Sequence, residues 1–133
     1  MSHYLLDTNI LIAAIKGHGP VRKKLERVDA ATILISPIVL GELLTGVEKS
    51  RHKSTNRQRL LDILSGLRMV EIEPEVAVRY AQIRAALESA GTPIGANDLW
   101  IAAHAAALDA VLVTANEREF RRVSGLRVEN WLA

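Results

Sequence analysis

Short aliphatic runs that lead within a few residues into helical patterns constrain this chain more than any other feature. "YLL" runs into "DTNILIAAI", "ATILI" into "SPIVLGELLTGV", "MVEI" into "PEVAVRYAQIRAAL" and "VLVT" into "NEREF", and "LRVENW" closes the chain. The β-branched run "ATILIS" reads as a buried strand, and strands buried on both faces belong to parallel sheets covered by helices. Strand and helix signals alternate throughout, so the expected fold is α/β: a three-layer α/β/α arrangement around a central, mainly parallel sheet. With 133 residues and no repeat or linker, the chain is expected to form one domain over 1–133.

Local signals place the helices. Asp7, Thr8 or Asn9 can cap a helix through Ile10, Leu11, Ala14 and Ile15, and Pro20 opens one whose apolar face is Val21, Leu25 and Val28. Ser36 and Pro37 fit N-cap and first helical turn. After a polar hairpin, "NRQRLLDILSGL" reads as a helix stopped by Gly66, and Pro74 starts a longer one with the stripe Val76, Tyr80, Ile83 and Leu87. "ANDLWIAAHAAALDA" is apolar nearly all round and must be buried on most sides.

Composition excludes several chemistries. The absence of cysteine removes disulfides, thiolate catalysis and Cys-based zinc sites together. No stretch approaches the roughly 20 apolar residues that span a bilayer, and the N-terminus lacks a secretory pattern, so a cytoplasmic protein with no membrane partner is expected. The net charge of +2 is modest, and the placement of charge matters more than its sum.

In open α/β sheets, sites form beyond the carboxyl ends of strands. Asp7 stands at such an end, and Asn116 occupies the analogous place after "VLVT". Asp98 lies at the mouth of the apolar helix, where the helix dipole favours its charge. For Asp7 and Asp98 the alternative role is capping alone. Glu42 points away from its helix's stripe of Val39, Leu40, Leu43, Leu44 and Val47, and periodicity reads it as a surface glutamate. Yet Gly41, Thr45 and Gly46 leave the surface around it clear. One carboxylate from each of three separate connections has the oxygen chemistry that Mg²⁺ or Mn²⁺ requires. His104, in the apolar helix, reads as a satisfied core histidine, and Trp100 and Trp131 read as packing residues.

Taken in order, "LLDTNILI", "SPIVLGELLTGVEKS", "PIGANDLWIAAHA" and "LVTANEREFRRVSGLRVENW" resemble the PIN-domain ribonucleases of the VapC toxin type across essentially the whole chain. The resemblance implies a single PIN domain and a Mg²⁺- or Mn²⁺-dependent endoribonuclease toxin of a type II toxin–antitoxin system. It also implies a cognate VapB-type antitoxin, a homodimer or larger toxin–antitoxin assembly, and structured RNA, with tRNA foremost, as substrate. Carried over by motif, the catalytic, metal-holding acids are Asp7, Glu42 and Asp98. Many such domains have a fourth acid where this chain has Asn116, and Glu119 is the nearest substitute. Asn116 and Glu119 also fit a capping box at the start of "EREF".

The segment "KSRHKSTNRQR" carries Lys49, Arg51, Lys53, Arg57 and Arg59 with no acid among them, a candidate track for RNA phosphates or a solvated surface. Two other function classes compete. A phospho-acceptor receiver would need an acidic pair after the first strand and a lysine after the last core strand, and neither is present. A PIN module that binds without cutting is the other, kept open by Asn116.

Overall fold

The computed structural model describes residues 2–132. In chain order the elements are β1 (Tyr4–Leu6), α1 (Thr8–Ile15), α2 (Gly19–Arg27), β2 (Ile33–Ile35), α3 (Pro37–Glu48), α4 (Lys53–Leu64), β3 (Arg68–Met69), α5 (Pro74–Ser89), α6 (Ala96–Ala107), β4 (Val111–Val113), α7 (Glu117–Phe120) and β5 (Val128–Glu129). A 3₁₀ turn, Ala30–Thr32, leads into β2. The five strands form one sheet in the order β3-β2-β1-β4-β5, and every pairing is parallel. Helices cover both faces, giving three layers.

The sheet centre is built from Leu5, Leu6, Ile33, Leu34, Ile35, Leu112 and Val113, all buried. Leu5 faces Leu34 on one side and Leu112 on the other in the strand register. Ile10 and Leu11 of α1, Val39 and Leu43 of α3, and Leu99, Ile101 and Ala102 of α6 close over this centre. The alanines of α6 let it approach closely, and its residues Ile101 to Ala105 are buried. The chain builds outward from β1 through β2 to β3, then crosses back to place β4 on the other side of β1. That reversal opens a crevice beyond the carboxyl ends of β1 and β4.

Several boundaries differ from the sequence expectation for identifiable reasons. α4 begins at Lys53, ahead of "NRQR", because Asn56 N–H already bonds to His52 O at 2.9 Å. β3 is only Arg68–Met69: Val70 N–H still reaches Ile35 O at 3.0 Å, but the next carbonyl, Glu71 O, is taken by His104 Nε2 at 3.0 Å. α7 stops at Phe120, since the following amides tighten to Glu119 O and Phe120 O at 3.1 Å each. Among the described residues no helix is long and apolar enough to cross a membrane.

The short α7 owes its position to Phe120, which is fully buried in the core. Phe120→Ala should therefore cost about 3–5 kcal/mol of stability, read as a lower urea midpoint with an unchanged slope.

Candidate metal centre and active site

Asp7 follows β1 directly, and its backbone N–H continues the sheet bonding by donating to Val113 O at 2.8 Å. Its side chain is 4% exposed and held at both oxygens. Oδ1 accepts the Thr8 N–H at 2.8 Å, while Oδ2 accepts the Thr114 hydroxyl at 2.8 Å and Asn9 Nδ2 at 3.3 Å. Asp7 is thus a helix cap and a member of the rim at once. Asn9 ties the two strand ends together, because its Oδ1 also accepts the Ala115 N–H at 3.0 Å.

Thr114 is the residue that reading the sequence missed. It is fully buried at the end of β4, donates to Asp7 and accepts the Asn116 N–H at 3.0 Å. The available signal was a hydroxyl ending the run "VLVT" at the place where Asp7 ends "YLL".

Glu42 departs from its surface reading. It is half-buried, and its Oε1 accepts the Thr8 hydroxyl at 3.0 Å, which draws it toward the rim. Asp98 stands in the first turn of α6, but it does not cap that helix: the N-cap is Gly95, with no side-chain capping bond. Burial, foremost, pushes its carboxyl up to about 6, and the Asp7 charge, a hydrogen bond with Glu119 and the charges of Glu119 and Glu42 add to the rise. Asp98 therefore lies within electrostatic reach of Asp7, Glu119 and, most weakly, Glu42.

The capping box expected of Asn116 and Glu119 does not form. Asn116 is the N-cap of α7 without a side-chain capping bond, and its Nδ2 donates instead to Glu119 Oε2 at 3.0 Å. The pattern is satisfied side chain to side chain because Thr114 Oγ1 already takes the Asn116 N–H that Glu119 would have accepted.

The basic segment is partly neutralised. Arg57 and Lys53 both pair with Glu48, at 2.6 and 3.7 Å, an acid just outside the all-basic stretch. Lys49, Arg51 and Arg59 are exposed on the α3–α4 connection and α4. The tryptophans pack as expected, Trp131 buried against Tyr4 and Trp100 stacked on Tyr80.

An all-oxygen donor set with excess negative charge fits Mg²⁺ or Mn²⁺. Among the described residues no three or more His, Asp or Glu side chains stand close enough together to hold a metal ion as they are placed. An open carboxylate rim is nevertheless compatible with Mg²⁺, which keeps several waters and takes few protein ligands.

Comparison with known proteins gives a consistent family. The PIN domain family matches residues 4–126. The chain is 44% identical over 130 residues to ribonuclease VapC2 of Rickettsia felis, covering 96% of this chain and 97% of that one. It is 37% identical over 131 residues to the tRNA(fMet)-specific endonuclease VapC of Salmonella typhimurium, covering 98% and 99%. Among solved structures, VapBC2 from Rickettsia felis bound to a DNA fragment from its promoter superposes with a TM-score of 0.91 at 42% identity, covering 96% of this chain and 98% of that chain.

The raised Asp98 carboxyl gives a signed pH dependence. The stability carried by its protonated form is full below the ordinary 3.8 and lost as pH rises through about 6. In EDTA, wild-type stability should fall across that window relative to Asp98→Asn, by on the order of 1–2 kcal/mol once solvent screening is allowed for. Thermal unfolding of both proteins from acid to neutral pH checks this.

Proposed function

The chain belongs to the PIN-domain family and, within it, to the VapC ribonucleases, and from that premise we propose that it is a Mg²⁺- or Mn²⁺-dependent endoribonuclease toxin. The observation that carries this reading is the carboxyl of Asp98, raised by burial and by the charges of Asp7, Glu119 and Glu42 together. Asp7, Glu42 and Asp98 would hold the metal, and Glu119 would complete the site in place of an acid at Asn116. When bound, the cation supplies positive charge against the scissile phosphate and acidifies a nearby water.

The chain's own residues do the rest. Thr114, Asn9 and the Thr8 amide orient Asp7, and Thr8 Oγ1 orients Glu42. With its carboxyl raised to about 6, Asp98 is largely ionised at neutral pH and would be available to a cation, whereas below that pH its proton would compete with one. Glu119, with Oε2 fixed by Asn116 Nδ2, then takes the proton of the attacking water. Water oxygen bonds to phosphorus, the bond from phosphorus to the 3′ oxygen breaks, and that oxygen leaves as a hydroxyl protonated from solvent. The products carry 5′-phosphate and 3′-hydroxyl ends.

The named activity of the Salmonella relative supports tRNA as the substrate class, with Lys49, Arg51 and Arg59 as phosphate contacts, joined by Lys53 and Arg57 when RNA displaces them from Glu48. The Rickettsia VapBC2 structure supports neutralisation by a VapB-type antitoxin. The proposed setting is the cytoplasm, as a homodimer or within a larger toxin–antitoxin assembly.

Purified protein should cut tRNA only with Mg²⁺ or Mn²⁺, and Asp7→Asn should abolish cutting while the fold survives. End analysis of the fragments and circular dichroism check both claims. Cyclic phosphate ends or full activity in EDTA would sink the mechanism, and intact RNA under every metal condition would make this a binding module.

Glu119→Gln separates the roles left to that residue. It should lower the cleavage rate at limiting Mg²⁺ by about 10- to 100-fold, with stability within about 1 kcal/mol of wild type and partial recovery in excess Mn²⁺. Wild-type rates in the variant would remove Glu119 from the site.

A further inference from the structure

His104 is fully buried in α6, far along the helix from Asp98, and takes no part in the chemistry above. Its ring is nonetheless committed at both nitrogens. Nε2 lies 3.0 Å from Glu71 O, and Nδ1 lies 3.0 Å from Ser36 Oγ. A carbonyl oxygen can only accept, so the proton sits on Nε2, and the bare Nδ1 accepts the Ser36 hydroxyl proton. Burial lowers the pKa of the ring, which favours this neutral form. Ser36 is fully buried as well, and its Oγ accepts the Ile38 N–H at 3.2 Å as N-cap of α3. A hydrogen bond between side chains therefore joins the body of α6 to the N-cap of α3.

The spacing along the two helices gives this bond its meaning. From Ser36, Glu42 lies six residues forward on α3, and from His104, Asp98 lies six residues backward on α6. Equal steps in opposite chain directions are the register of an antiparallel helix pair, and six residues advance about 9 Å along either axis. Three residues along in each helix stand Val39 and Ile101, both fully buried. At the end of the same stretch, the Glu42 charge acts on Asp98.

We infer that the Ser36–His104 hydrogen bond pins the register between α3 and α6, and that His104 is a positioning residue setting Glu42 opposite Asp98 for a divalent cation. The inference rests on the metal reading proposed above. Sliding either helix would carry the two carboxylates past one another while leaving the apolar contact between the helices largely intact. A directional bond between two buried groups opposes such a slide, because breaking it leaves a buried donor or acceptor unpaired.

Two replacements divide the histidine's bonds. In His104→Asn the amide oxygen falls near the place of Nδ1 and can still accept from Ser36, whereas in His104→Gln the amide nitrogen reaches toward Glu71 O and the bond to Ser36 is lost. Ser36→Ala removes the same bond from the other side. Binding of Mn²⁺ alone to RNA-free protein, followed by electron paramagnetic resonance, is the readout, with thermal unfolding recorded for each variant. His104→Gln and Ser36→Ala should bind Mn²⁺ about 10- to 100-fold more weakly than wild type, and His104→Asn should stay much closer to wild type although it too loses a buried hydrogen bond. The inference is overturned if folded His104→Gln or Ser36→Ala binds Mn²⁺ as wild type does, or if Asn and Gln variants weaken equally. Wild-type protein that fails to bind Mn²⁺ would overturn the metal reading itself, a separate result.

Discussion

Like charges held together resist being held, and most of the polar bonding at this sheet's rim works against that resistance. Asp7 is fixed by donors at both oxygens, Glu42 by the Thr8 hydroxyl, and Glu119 by the Asn116 amide. Among the described residues Asp98 accepts from no neutral donor, and burial together with the neighbouring charges pushes its carboxyl up to about 6. Burial costs the charged form hydration, and three neighbouring carboxylates add to that cost without a cation to offset it. A cation held there, as proposed above, would offset the repulsion among these carboxylates and favour the ionised form of Asp98.

The supports come from distant parts of the chain, which is why the parallel sheet matters to the chemistry. Pairing of β1 with β4 brings Thr114 to Asp7, and the turn after β1 then sends Thr8 outward to Glu42 on α3. A slip of one residue in the β1–β4 register would send the side chains of one strand to the opposite face of the sheet and break their packing against the helices there. The apolar centre thus guards the alignment of the acids, although no core side chain touches them. α7 shows the same coupling on a smaller scale: Phe120, buried in the core, sits next to Glu119 and decides where that carboxylate begins its reach.

Much of this was legible in the sequence where the cause is local. The Ser36–Pro37 start, the apolar body of α6 and the strand end at Asp7 follow from neighbours within a turn or two, and each stands as expected. Glu42 failed the periodicity test because its partner, Thr8, is 34 residues away. Thr114 was passed over for a similar reason, since its bond to Asp7 spans 107 residues and exists only once β1 and β4 pair. The capping box between Asn116 and Glu119 matched a local pattern, yet Thr114, at the strand end, takes the Asn116 N–H and leaves Glu119 to the Asn116 amide. The all-basic stretch misled through its boundary, because Glu48 lies one residue before it and takes both Arg57 and Lys53.

The exchange of an acid for Asn116 follows from the same electrostatics. Its Nδ2 lies 3.0 Å from Glu119 Oε2, so an aspartate in its place would set a further negative charge against Glu119 and close to Asp98. In a medium of effective dielectric near 20, two unit charges about 4 Å apart repel by roughly 4 kcal/mol, enough to keep one of them protonated near neutral pH. The amide reverses that interaction and gives Glu119 a donor. Moving the fourth carboxylate from the strand end to the first turn of α7 therefore keeps four acids at the rim, while the position nearest the sheet holds a neutral group that orients one of them.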